Sequence, residues 1–138
     1  MLLTCIYNLC YIVCNNDVRT HHRKKGDKFM ENNRFMRVLN LAKEKNIGVG
    51  AVNIFNFLTA DAAAQAAEEL GVNLIIQTSA GTVEHFGAQK LYDIVDAARK
   101  GRSIEIALHL DHCKNEELGR LCVDTGWDAN KMDFSALP

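Results

Sequence analysis

Ile104-Glu-Ile-Ala-Leu-His-Leu-Asp-His-Cys113 is a hydrophobic run of strand length that ends by presenting His109, Asp111 and His112. A strand that runs straight into a carboxylate–imidazole pair sets a general acid/base beside a metal ligand, which is the equipment of metal-assisted catalysis. Alternation along an extended backbone puts His109 on the same face as Asp111 and sends His112 to the other. A turn beginning at the strand end lets both Asp111 and His112 face one cavity, with His109 as a supporting partner behind them.

Working outward, the flanking sequence alternates helix and strand signals. Phe35, Val38, Leu39 and Ala42 recur at helical spacing, so Glu31 to Lys45 reads as an amphipathic helix. Ile47 to Ile54 is a β-branched run of strand length, and Thr59 is placed to cap a helix from Ala60 to Leu70 that Gly71 ends. Asn73 to Thr78 is a second apolar strand. Ala88 to Lys100 carries Leu91, Ile94, Val95 and Ala98 on one face and stops at Gly101, before a third strand from Ser103 to Leu110. Asn115 caps a helix to about Asp124 that Gly126 closes, and Trp127 to Phe134 is a fourth strand.

Strand starts near 47, 73, 103 and 127 give a regular βα rhythm, which predicts a parallel sheet of right-handed βαβ units. A doubly wound sheet and part of a (β/α)8 barrel both fit that rhythm. A dinucleotide fold wants a glycine-rich turn after its first strand, yet Asn53-Ile-Phe-Asn-Phe57 has no glycine. The expected fold is therefore α/β: a partial (β/α)8 barrel of about four βα units with an N-terminal helix. Asn53, Ser79, Asp111 with His112, and Asp133 with Ser135 all fall at the same end of their strands, where a barrel mouth collects polar groups. Taken singly, Ser or Asn after a strand is more often a turn residue or a helix cap.

Composition limits the function classes. A formal net charge of −1 over 138 residues gives no basic excess for nucleic acid, and His21-His-Arg-Lys-Lys25, the one cationic run, reads as a solvated segment. An odd count of five cysteines without CxxC spacing fits free thiols in a reducing, cytoplasmic setting. Met1 to Cys14 is apolar but too short to span a bilayer, and no positive residue precedes its apolar core as in a signal peptide. Residues 1–30 are expected to be a poorly ordered leader ahead of a domain over 31–138, with Met30 or Met36 as alternative starts. Membrane association of that leader, and Cys10 with Cys14 as metal ligands, are weaker readings.

Gly50-Ala-Val-Asn-Ile-Phe-Asn56, Ile75-Ile-Gln-Thr-Ser-Ala-Gly81, Ala107-Leu-His-Leu-Asp-His-Cys113 and Gly126-Trp-Asp-Ala-Asn-Lys-Met-Asp-Phe-Ser-Ala-Leu-Pro138 resemble, in order, the first four strand ends of the class II, zinc-dependent fructose-bisphosphate and tagatose-bisphosphate aldolases. The resemblance runs from about Asn33 to Pro138, the N-terminal half of such a barrel. It implies an aldehyde-lyase of glycolysis and related carbohydrate metabolism, cleaving a ketose 1,6-bisphosphate to dihydroxyacetone phosphate and glyceraldehyde 3-phosphate. Asp111 matches the family's catalytic aspartate and His112 a ligand of Zn2+, the Lewis acid for the ketone oxygen. Asn53 and Ser79 fall where the family contacts substrate, Ser79 near a phosphate. Asp133 and Ser135 match an Asp-x-Ser segment with a supporting or secondary-metal role. The resemblance also implies a homodimer.

In that family the remaining zinc-binding histidines and the glycine-rich phosphate loops come from later strands. His21, His22 and His85 do not replace them, so aldolase activity is expected to need a complementary half. A full barrel needs about 250 residues, and half of one leaves two open sheet edges and an uncovered inner face. A non-catalytic remnant is the second reading. A two-metal hydrolase of the metallo-β-lactamase type is a distant third, because that signature wants a histidine two positions before His109 and Ala107 stands there.

Overall fold

The computed structural model describes residues 11–12, 33–133 and 135. In chain order the elements are β1 (Tyr11–Ile12), α1 (Arg34–Lys45), β2 (Gly50–Asn53), α2 (Phe57–Leu70), β3 (Leu74–Ser79), α3 (Ala80–Phe86), α4 (Ala88–Arg99), β4 (Ile106–Cys113), α5 (Glu116–Thr125) and β5 (Ala129–Met132). The sheet order is β1-β5-β4-β3-β2. Strands β2 to β5 are parallel, and β1 adds antiparallel to β5 through Tyr11↔Met132 and Ile12↔Lys131. The rest of the expected leader, 1–30, lies outside the described residues.

Local chemistry sets the element ends. Helix α1 starts at Arg34, with the Asn33 side chain accepting from Met36 N–H as N-cap, and the expected start at Glu31 lies outside the described residues. Asn56, not Thr59, caps α2: its side chain accepts from Thr59 N–H while the Thr59 hydroxyl serves the Asn56 amide, a reciprocal capping box. Helix α3 was not legible from apolar spacing. Ser79 starts it by accepting from Thr82 N–H, and Gly87 at φ 88° separates it from α4. Gly71 and Gly126 end α2 and α5 in the left-handed region, as their sequence positions predict. Strands β2 and β5 are shorter than the apolar runs suggest, and Phe134 lies outside the described residues.

The sheet has two differently dressed faces. On the helix-covered side Leu74, Ile76, Ile106, Leu108 and Leu110 pack with Ala64, Leu91 and Val95 of α2 and α4 in the main core. Trp127 is fully buried there and donates its indole N–H to the Ala88 carbonyl at 3.3 Å. On the opposite side Phe35 and Val38 of α1 cover Ile75, Ala107 and Ala129. Burial of two such side chains contributes about 1.5–3 kcal/mol each. The inner face expected to be uncovered in half a barrel is thus covered in part, since α1 closes the end nearest the strand N-termini. One edge does stay open: among the described residues nothing pairs with the outer side of β2, where Val52, Phe55, Phe57 and Leu58 are exposed.

Ion pairs fix α1 at the strand N-termini. Arg37 Nε donates to Glu105 Oε1 at 2.9 Å, and Arg34 reaches Asp128 Oδ1 at 3.2 Å. Asp128 is 8% exposed, accepts from Leu108 N–H at 2.8 Å and pairs with Arg99 at 3.3 Å. Asn33 donates its side-chain amide to the Asp128 carbonyl at 2.9 Å, so one residue both starts the helix and ties it to the sheet.

Candidate active site

Strand register assembles the site in rows. Asn53, Gln77, His109 and Ala129 lie opposite one another across β2, β3, β4 and β5, and one step further along Ser79 faces Asp111. Period-2 alternation carries Ile75, Gln77 and Ser79 on one face of β3 and Ala107, His109 and Asp111 on the matching face of β4. Because Ile75, Ala107 and Ala129 on that face meet α1, the polar residues above them face the open end.

His112 breaks the alternation. Its φ of 46° is left-handed, and the register between β4 and β5 shifts between Leu110 and Cys113. A bulge re-aims a side chain that a regular strand would send to the other face. The His112 imidazole therefore sits beside Asp111, with Nε2 3.7 Å from Asp111 Oδ1, and the two groups open on the same mouth. Left-handed backbone in a non-glycine residue is strained and clusters at functional sites.

The surrounding contacts form a connected network. Asp133 Oδ2 accepts from His112 Nδ1 at 3.0 Å, and its Oδ1 accepts from the Ser135 amide at 3.0 Å and the Ser135 hydroxyl at 2.6 Å. Those bonds, Ser135 first and then His112, hold the Asp133 carboxyl well below the usual carboxylate range. Lys131 donates its ammonium to His112 Nε2 at 2.7 Å and lies 3.9 Å from Asp111 Oδ1. One tautomer satisfies both contacts of His112: Nδ1 carries the proton for Asp133, and the Nε2 lone pair accepts from Lys131.

Behind this pair, Gln77 links Asp111 to His109 through long contacts of 3.5 Å to Asp111 Oδ2 and 3.4 Å to His109 Nδ1. The His109 ring is 8% exposed, lies 5.3 Å from the Phe35 ring, and is pushed down by burial to a pKa of about 4. It is a neutral, packed imidazole on the Asp111 face, as its position two residues before Asp111 predicts.

Asp111, His112, Asp133 and Ser135 are thus brought together, with His109 behind them. Asn53 and Ser79 stand on the same face, with Ser79 directly opposite Asp111 in the register. Ser79 is engaged as the cap of α3, its hydroxyl 3.1 Å from the Thr82 hydroxyl. Lys131 and Gln77 join this site without a motif of their own to mark them in the sequence. Alternation from Ala129 through Lys131 to Asp133 would have found Lys131, and alternation from Ile75 would have found Gln77.

The described residues do not fit a zinc ion as they stand. No group of three or more His, Cys, Asp or Glu side chains among them could hold a metal, and both nitrogens of His112 already have partners. No helix among the described residues is long and apolar enough to cross a membrane.

Comparison with known proteins agrees with this architecture. The family described as Fructose-bisphosphate aldolase class-II matches residues 33–138. A sulfofructosephosphate aldolase of Alkalicoccus urumqiensis is 27% identical over 100 residues, covering 72% of this chain and 35% of that protein. A fructose-bisphosphate aldolase of Helicobacter pylori is 32% identical over 99 residues, covering 71% of this chain and 32% of its own length. Among solved structures, a protein of Coccidioides immitis assigned as a fructose-1,6-bisphosphate aldolase superposes with a TM-score of 0.62 at 23% identity, over 69% of this chain and 36% of that one. The YdjI aldolase of Escherichia coli K12 gives 0.59 at 20% identity, over 68% and 36%. The chain spans about a third of the length of the curated relatives it matches. The parallel sheet with its helices is accordingly part of a (β/α)8 barrel, and the chain belongs to the class-II fructose-bisphosphate aldolase family.

Proposed function

We propose that this chain supplies one side of an aldolase mouth and that, joined by complementary barrel strands, it takes part in reversible aldol cleavage of a ketose 1,6-bisphosphate to dihydroxyacetone phosphate and glyceraldehyde 3-phosphate. The observation that carries this reading is the left-handed turn at His112, which gives Asp111 and His112 a common opening. Asp111 is partly exposed there and is the group that exchanges a proton with the substrate hydroxyl as the carbon–carbon bond breaks or forms. Gln77 and, through it, His109 hold the carboxylate in position. Asp133, fixed by Ser135, orients His112. Asn53 and Ser79 contact the phosphorylated substrate. Zinc at His112 would require ligands from outside the described residues and displacement of Lys131. The assembled enzyme is a cytoplasmic homodimer.

The lack, among the described residues, of any group of three or more side chains that could hold a metal favours a second reading, a non-catalytic remnant of the family. One complementation experiment separates the two. The chain is mixed or co-expressed with the remaining two thirds of the Helicobacter pylori relative, and triose phosphate release from a ketose bisphosphate is measured. The catalytic reading expects turnover with the complement and none without it, and a loss of about 10²–10⁴-fold on Asp111→Asn, the usual contribution of a general acid/base. No turnover in the complemented protein, or equal turnover in the variant, supports the remnant.

A further inference from the structure

We infer that Lys131 is the resident cation of this mouth and that its ammonium closes the His112–Asp111 corner to a divalent metal. A metal bound at His112 must approach along the lone pair of a ring nitrogen, at about 2.0–2.1 Å. The Nδ1 position carries the proton donated to Asp133 at 3.0 Å. The Nε2 position faces the Lys131 ammonium at 2.7 Å, and the nearest further carboxylate, Asp111, has the same ammonium 3.9 Å from Oδ1. A divalent ion and an ammonium cannot share that lone pair, and like charges at this separation repel strongly outside bulk water.

The lysine is built into the position. It lies two residues after Ala129 on the inward face of β5, its side chain is 27% exposed, and its ammonium is held against His112 Nε2 at 2.7 Å. The fixed positive charge supplies part of what a metal would bring to an anionic substrate oxygen, namely attraction beside an acid/base carboxylate. This goes beyond the aldolase reading and does not depend on it, since its test measures metal binding and not turnover.

The experiment titrates the intact chain with Co2+ and with Zn2+ at fixed pH and ionic strength, by calorimetry and by the visible spectrum of bound cobalt. Lys131→Met keeps length and apolar packing while removing the charge; it is expected to tighten binding at least about tenfold, the scale of removing one nearby like charge. Adding His112→Ala to Lys131→Met should abolish the gain, which separates this corner from the thiols and histidines of residues 1–30. Lys131→Arg should stay as weak as the unmodified chain. Lys131→Gln, with far-UV circular dichroism as the check on folding, should gain affinity as Lys131→Met does. The inference is overturned if the unmodified chain binds either metal through His112 as tightly as Lys131→Met does. A gain that survives His112→Ala, or an equal gain in Lys131→Arg, overturns it as well.

Discussion

The two ends of the parallel strands both carry a charged cluster, and the clusters are built differently. At the N-terminal end Arg34, Arg37 and Arg99 meet Glu105 and Asp128, none of them left-handed, and Asp128 is buried with its oxygens taken by Leu108 N–H and two guanidinium groups. At the C-terminal end Asp111, His112, Lys131 and Asp133 meet on a bulged strand with a left-handed residue, and the His112 side chain is 57% exposed. The first cluster is positioned to fasten α1 over the inner face. The second leaves carboxylate and imidazole atoms turned toward an opening. In barrels of this class the N-terminal end serves stability and the C-terminal end serves chemistry.

Removing one carboxylate from each end tests that division most directly. Asp128→Ala leaves Arg99, whose side chain is 10% exposed, without its buried partner and strips Leu108 N–H of its acceptor. Breaking a buried pair on one side costs about 3–5 kcal/mol. Asp111→Ala removes a partly exposed group with long contacts only, and its cost should stay within about 1 kcal/mol. Urea unfolding of both variants measures the contrast. Comparable losses would mean that the two clusters are not divided between stability and chemistry.

His109 lies between the two ends, and its burial adds a pH dependence of known sign. In the folded chain its pKa is about 4, against an ordinary value of 6.5. As pH falls below 6.5 the unfolded chain takes up the proton first, so the contribution is complete above that pH and disappears on approach to pH 4. A shift of this size is worth about 3 kcal/mol in total. Between pH 7 and pH 4.5 the unmodified chain should lose about 2–3 kcal/mol more stability than His109→Gln, because other titrating groups are common to both proteins. Parallel losses would mean that the imidazole is solvated when folded.

How much of this was legible follows from which signals are local. Strand order and parallel pairing follow from apolar runs spaced by helices, and Gly71 and Gly126 announce helix ends through a backbone preference of their own. The face shared by His109 and Asp111 follows from alternation. Thr59 reads as the cap of α2 where Asn56 holds that place, because either residue can accept from a helix N-terminus and their order is decided by backbone φ and ψ. Helix α3 is short and has one buried side chain, Val83, too few for periodicity to reveal. Lys131 and Asp128 were invisible for a different reason. Each matters through a partner about twenty positions away in the chain, Lys131 through His112 and Asp128 through the Leu108 amide, and such pairings exist only once the register of β4 against β5 is set.

The smallest expected effect concerns the left-handed residue itself. An L side chain in this region carries about 1–2 kcal/mol of strain, and glycine carries none but makes the unfolded chain freer by about 0.5–1 kcal/mol. His112→Gly also gives up the contacts with Asp133 and Lys131, which contribute little at an exposed side chain. The net expectation is a gain of about 0.5–1 kcal/mol in unfolding free energy. His112→Ala keeps the strain and loses the same contacts, so it should be no more stable than the unmodified chain. If both variants are destabilised alike, the contacts of the imidazole outweigh its backbone strain, and the C-terminal cluster fastens the fold as the N-terminal one does. If only the glycine variant gains, the chain retains a strained conformation whose remaining effect is to hold His112 beside Asp111, and the difference between the two ends of the sheet is one of function.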